Sequence, residues 1–137
     1  MKILVDSNVA VDLLLKNQPF WGSSAKIVGL SKLGIQLFLS ASTVTDIYYI
    51  VSRSVKSKKI AMDLLKDLLK KTDVAAVTGN EIRQAVNLDW GDFEDAVQYA
   101  AGESIAVDYI VTRNKNDFAS AALPVVSPDE LLALLQV

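Results

Sequence analysis

Short apolar runs and longer amphipathic stretches take turns along this chain. Lys2 to Val5 is apolar and stops at Asp6-Ser7-Asn8, the pattern of a buried strand feeding a helix over Val9 to Leu15. Asn17-Gln18-Pro19 breaks that helix. Phe20 to Leu33 carries apolar residues at helical spacing and stops at Gly34, after which Ile35 to Leu39 reads as a second buried strand. Ser42 or Thr43 is placed to cap a helix over Val44 to Arg53, and a further helix with a strongly apolar face spans about Lys58 to Lys71. Val74 to Val77 is a third strand. Thr78 and Glu81 have the spacing of a capping box, opening a helix to about Val86. Beyond Asn87 to Gly91, the segment Asp92 to Glu103 is helical in pattern. Tyr109 to Thr112 supplies a fourth strand, Asn116 to Ala119 a helical turn, and Val125-Val126 a fifth strand. Ser127-Pro128-Asp129-Glu130 announces the last helix, with a cap, a proline at the first helical position and an acid at the third.

Short, continuously apolar strands alternating with helices predict a mostly parallel sheet covered on both faces, an α/β sandwich of three layers. With 137 residues and 51% hydrophobic content, the chain is sized for a single domain, 1–137, with no linker or internal repeat. In such folds ligands sit at the carboxyl ends of the strands, where loops lead into helix amino termini.

Composition narrows the chemistry. The chain has no cysteine, which removes disulfides and cysteine-based metal sites, and no histidine, which removes the serine-histidine-aspartate triad, histidine-rich zinc sites and an imidazole proton shuttle. Carboxylates, hydroxyls, amides, lysines, arginines or bound ions must then carry any reaction. No stretch approaches the roughly 20 apolar residues of a membrane span, and a cytoplasmic location is the expectation. A net charge of −2 and a pI near 5.0 argue against a broad grip on nucleic acid while permitting a local basic rim.

Four aspartates fall where different segments enter the carboxyl end of the sheet: Asp6, Asp46, Asp95 and Asp117. Asp6 lies one residue past the first strand, where it either caps the next helix or projects into a site, with Asn8 as a local hydrogen-bond partner. Asp46 follows Thr43 at capping-box spacing, so a first-turn structural role competes with a functional one. Asp92 and Asp95 share one helix face; Asp92 reads as the cap, Glu94 as a solvent-facing charge and Asp95 as the inward acid. After the fourth strand, Thr112, Asn114 and Asp117 are short polar groups within reach of the same edge, although Asp117 also suits an exposed turn.

Carboxylates gathered together repel. Two unit charges about 4 Å apart interact by roughly 4 kcal/mol at an effective dielectric of about 20, so a cluster either takes up protons or takes up a cation. Oxygen-only ligands point to magnesium or manganese, and magnesium keeps several waters. One such water, with a carboxylate as proton acceptor, suffices for phosphodiester hydrolysis without histidine.

Taken in order, Ile3-Leu4-Val5-Asp6-Ser7-Asn8, Asp46, Asp92-Phe93-Glu94-Asp95-Ala96 with Tyr99-Ala100-Ala101, and Tyr109-Ile110-Val111-Thr112-Arg113-Asn114 with Asp117-Phe118 resemble the PIN domain family (PilT amino terminus), in particular its small VapC-like ribonuclease toxins. The resemblance covers essentially the whole chain. It implies a five-stranded parallel sheet, an acidic pocket holding Mg2+ or Mn2+, endonucleolytic cutting of RNA, dimerisation and an antitoxin partner. It makes Asp6 the first acid and Asp95 the third, with Asp46 and Asp117 completing the catalytic, metal-holding set and Asn8, Asp92, Thr112 and Asn114 supporting it. Two positions depart from the pattern. The second acid is commonly glutamate and here is Asp46; the fourth is commonly an aspartate two residues after the threonine, where Asn114 stands, leaving Asp117 as the nearest substitute.

Arg53, Arg113 and Lys115 are the candidate RNA contacts, set against the ordinary fate of such charges as solvated faces. Phe20, Trp21, Tyr48 and Tyr49 divide between core, interface and stacking, with core expected for at least half. Two other readings compete with a metal-dependent ribonuclease. One is a cleavage-incompetent module that binds a protein or RNA partner, motivated by Asn114. The other is a phosphoaspartate enzyme using Asp6, which would want an aspartate where Asn8 stands.

Overall fold

The computed structural model describes residues 1–137. Five strands, β1 (Lys2–Val5), β2 (Gln36–Ser40), β3 (Asp73–Ala75), β4 (Tyr109–Val111) and β5 (Val125–Val126), form one sheet in the order β3-β2-β1-β4-β5. Every pairing is parallel, and β1 lies at the centre with Ile3 opposite both Leu37 and Tyr109. Six helices lie between the strands and a seventh follows the last: α1 (Ser7–Leu14), α2 (Trp21–Gly29), α3 (Ala41–Val55), α4 (Lys58–Leu69), α5 (Gly79–Leu88), α6 (Phe93–Ser104) and α7 (Pro128–Leu135).

Alternation along the strands divides the core in two. Ile3, Val5, Leu37, Leu39 and Val111 point to one face, where they pack with apolar residues of α1, α2, α3, α4 and α7. Leu4 and Ile110 point to the other, against Tyr99 of α6 and Phe118, with α5 packed on α6 through Ala85, Ala96 and Val97. The three-layer sandwich expected from the strand-helix alternation is thus present. At Gly102 α6 packs tightly on the sheet: a Cβ there would stand 3.0 Å from Leu4 Cδ2.

The helix boundaries follow from local chemistry. Gly34, at φ 81°, adopts the left-handed conformation that ends the 3-10 turn Leu30–Leu33. Thr78 with Glu81, and Ser127 with Glu130, form complete capping boxes at the starts of α5 and α7. One expectation fails at α3. The cap is Ser40, the last residue of β2, whose Oγ accepts from the Thr43 amide at 3.2 Å, so the helix begins at Ala41 with no intervening loop. Thr43 and Asp46 therefore make no capping box, and Asp46 falls in the second turn.

The aromatic expectation also needs correcting. Only Tyr48 of the four packs against the core, whereas Phe20, Trp21 and Tyr49 are exposed.

Candidate functional site

The end of β1 organises the site. Asp6 is 3% exposed and its amide donates to Val111 O at 3.0 Å, which continues the pairing of β1 with β4 by one residue. One carboxylate oxygen accepts from the Ser7 amide at 2.7 Å as the cap of α1, and the other accepts from the Thr112 hydroxyl at 2.7 Å. Capping and an inward-facing carboxylate thus coexist in one side chain. Thr112 Oγ1 in turn accepts from the Asn114 amide at 3.0 Å and from Asn8 Nδ2 at 3.3 Å, while Asn8 Oδ1 accepts from the Arg113 amide at 3.2 Å. The side chains of Asp6, Asn8 and Thr112 thus add to the backbone pairing in pinning the β4 loop to the β1 loop. Short hydrogen bonds to an ionised acceptor are the strong kind, and they fix Asp6 in one orientation.

Asp95 approaches from α6. Asp92 caps that helix by accepting from the Asp95 amide at 3.0 Å, so the expected division of labour between these acids holds, and Glu94 is exposed. Burial pushes the Asp95 carboxyl up to about 7, reinforced by the negative charges of Asp92, Asp6, Asp117 and Glu94 in that order. The set includes Asp6 and Asp117, from the segments after β1 and β4, whose charges reach Asp95 although the three carboxylates do not form a compact group. Around Asp95 acceptors outnumber donors: its one side-chain hydrogen bond, from Gln98 Nε2, is long at 3.5 Å, and the buried Gln98 Oε1 has no partner.

The remaining candidates sit further out. Asp117 is exposed, in the 3-10 turn Lys115–Phe118. Asp46 is half-buried on α3 and is not among the charges that raise Asp95. No three carboxylates form a group ready to hold an ion. Oxygen ligands nevertheless suit magnesium, which binds through one or two carboxylates and fills its remaining positions with water. The crowding of negative charge on Asp95 is what a cation would relieve.

The basic candidates are each engaged. Arg113 Nε and Nη2 donate to Asp12 at 2.8 and 3.3 Å, and its guanidinium lies 4.2 Å from the Phe20 ring centroid. Lys115 pairs with Glu130 at 3.0 Å, and Arg53 stacks over Tyr49 at 5.3 Å. Asp12, 1% exposed on α1, is the residue that sequence reasoning missed. An acid inside the apolar run Val9 to Leu15 was the available signal, because such a group needs a partner when buried.

A family model described as "PIN domain" matches residues 2–116. The chain belongs to the PIN domain family. Solved structures with this PIN fold include the VapBC2 complex of Rickettsia felis bound to a DNA fragment from its promoter, with TM-score 0.74, 18% identity, and coverage of 93% of this chain and 98% of that one. Another is VapC20 of Mycobacterium tuberculosis, a toxin described as cleaving the sarcin-ricin loop, with TM-score 0.70, 15% identity, and coverage of 86% and 94%. A toxin-antitoxin complex from Klebsiella pneumoniae gives TM-score 0.67, 19% identity, and coverage of 92% and 97%. No curated protein matches the sequence. At these identities the structural neighbours establish the shared fold. No helix of this PIN domain is long and apolar enough to cross a membrane.

Proposed function

We propose that the chain is a metal-dependent endoribonuclease, the toxin half of a toxin-antitoxin pair acting in the cytoplasm. The observation that carries this reading is the half-buried Asp95 of α6, pushed up to about 7 by burial and by the charges of Asp92, Asp6, Asp117 and Glu94. Membership of the PIN family and the likeness to VapC toxins support RNA as the substrate class and an antitoxin as partner; dimerisation belongs to the same reading.

Asp6 and Asp95 would hold Mg2+ or Mn2+, with Asp117 and Asp46 reaching it through water. A bound divalent cation supplies acidification of an attacking water and neutralisation of charge on the phosphoryl oxygens. The protein's part is orientation and proton management. Thr112 fixes one Asp6 oxygen, Asn8 and the Asn114 amide fix Thr112, and Asp92 sets the start of α6 so that Asp95 faces inward. Asp95 would stay ionised as a ligand of the ion, leaving a carboxylate that reaches the ion through water, such as Asp117, to accept the proton. Arg113 and Lys115 stand beside this edge and line a shared surface hollow with Asn114 and Asp117, a location suited to contacts with the RNA backbone. Arg53 would contribute from α3.

Manganese-dependent cleavage of single-stranded RNA by the purified chain tests the proposal, with loss of cleavage in both Asp6→Asn and Asp95→Asn expected. Unchanged cleavage by these variants refutes the assignment. Asn114 favours a second reading, a PIN-fold module that binds a partner without cutting, because an amide binds a cation more weakly than the acid common at that position. Absence of saturable manganese binding supports that alternative.

A further inference from the structure

A second cavity, of about 360 Å3, lies beside the carboxylate site between the start of α2 and the start of α7. Its size falls within the roughly 300–1,000 Å3 of small-molecule sites. Pro19, Phe20 and Pro128 give it apolar walls, Ser23 and Ser24 line it with hydroxyls, and Asp129 contributes a carboxylate. Ser24 is 1% exposed and its hydroxyl has no hydrogen-bond partner. A buried hydroxyl left unpaired is uncommon, and this one adjoins the cavity.

Charge limits what can enter. Asp12 and Arg113 also line the cavity but neutralise each other through two hydrogen bonds at 2.8 and 3.3 Å. The uncompensated charge is that of Asp129, whose Oδ1 accepts from the Ser23 hydroxyl at 2.5 Å. A phosphate is disfavoured there. A flat, neutral ring that presents N–H donors is favoured, since apolar walls take its faces and a carboxylate takes its edge. Among nucleobases guanine alone offers two adjacent donors, N1–H and N2–H, in the spacing of the two carboxylate oxygens, and the Ser23-bonded oxygen retains a free lone pair.

Position connects the cavity to the chemistry. Arg113 in its wall follows Thr112, the residue bonded to Asp6. Single-stranded RNA is read by splaying bases into pockets and bonding their Watson–Crick edges. We propose that this cavity is a base-recognition subsite that seats a guanine adjoining the scissile phosphodiester, with Asp129 accepting from its Watson–Crick edge and Ser24 bonding a ring atom. The proposal rests on the ribonuclease reading for its substrate.

The test has two arms. In metal-free buffer, GMP and AMP are titrated into the full chain and followed by NMR. GMP should bind the tighter by about tenfold, the size of one good bidentate base contact, with resonances around Ser24 and Asp129 shifting. Asp129→Asn should abolish the difference, and Ser24→Val, which fills the cavity, should abolish binding. With manganese, RNAs differing only in one base should be cut preferentially beside guanine, and Asp129→Asn should erase that preference. Cleavage without guanine preference, together with no GMP binding, overturns the subsite and leaves the nuclease standing. GMP binding at this cavity without cleavage keeps the subsite and overturns the nuclease. Saturable binding of an arginine amide here, with none of GMP, overturns the subsite in favour of a cationic protein partner.

Discussion

The Thr112 hydroxyl donates to Asp6 Oδ2 at 2.7 Å across 106 residues of sequence, joining the ends of two adjacent parallel strands. Thr112 is fully buried, and its oxygen also accepts from Asn8 and from the Asn114 amide. Replacing it with valine keeps the shape and removes the donor, leaving a buried carboxylate oxygen short of one partner. We expect Thr112→Val to cost about 1–3 kcal/mol in urea unfolding and Thr112→Ser to cost much less. Equal losses in the two variants would mean that packing of the methyl group, not the hydroxyl, matters.

Asp95 sets a pH dependence with a definite sign. Its carboxyl is raised from an ordinary value of 3.8 to about 7, so the folded state holds a proton that the unfolded state has released. Stability from this group is complete below pH 3.8 and is lost as pH rises through about 7. Because the side chain is only half-buried, solvent screening reduces the effect to about 1–2 kcal/mol. Urea titrations in EDTA between pH 4.5 and 8 should show this decline in the wild type and not in Asp95→Asn. Glu130, held at about 2 by the Ser127 amide and Lys115, loses its contribution only at much lower pH and leaves the window clear.

Much of this was legible in the sequence. The succession of strands and helices, the two capping boxes and Asp92 as the cap of α6 rest on local chemistry and stand as expected, whereas β2 runs on to Ser40 and β3 ends at Ala75 instead of Val77. The start of α3 was not legible, because Ser40, Ser42 and Thr43 offer three equivalent hydroxyls. Pairing of Ser40 with Ala75 in the sheet makes Ser40 the last strand residue and decides the cap. Asp12 was missed for the same kind of reason: its partner Arg113 lies 101 residues away.

The Asp12–Arg113 pair should be costly to break from one side. Arg113→Ala leaves Asp12 buried with Asn17 as its remaining side-chain partner, and we expect a loss of about 2–4 kcal/mol. The double variant Asp12→Leu with Arg113→Met should recover most of it. A double variant as unstable as the single one would place the loss in packing of Arg113 against Phe20 instead.

Asn114 provides a gain-of-function test. Asn114→Asp restores an acid at the position where the family commonly has one, and manganese affinity should rise by about tenfold as a neutral ligand becomes charged. Calorimetric titration measures this directly. An unchanged affinity would show that residue 114 faces away from the ion.

Calorimetric titration of Mn2+ into the wild-type chain at pH 7, in buffers of different ionisation enthalpy, tests most directly whether Asp6 and Asp95 share one ion. Saturable binding accompanied by release of a fraction of a proton from Asp95 is the predicted result, with binding lost in Asp6→Asn and with both binding and proton release lost in Asp95→Asn. Binding that is absent in the wild type, or that persists unchanged in both variants, would contradict the account.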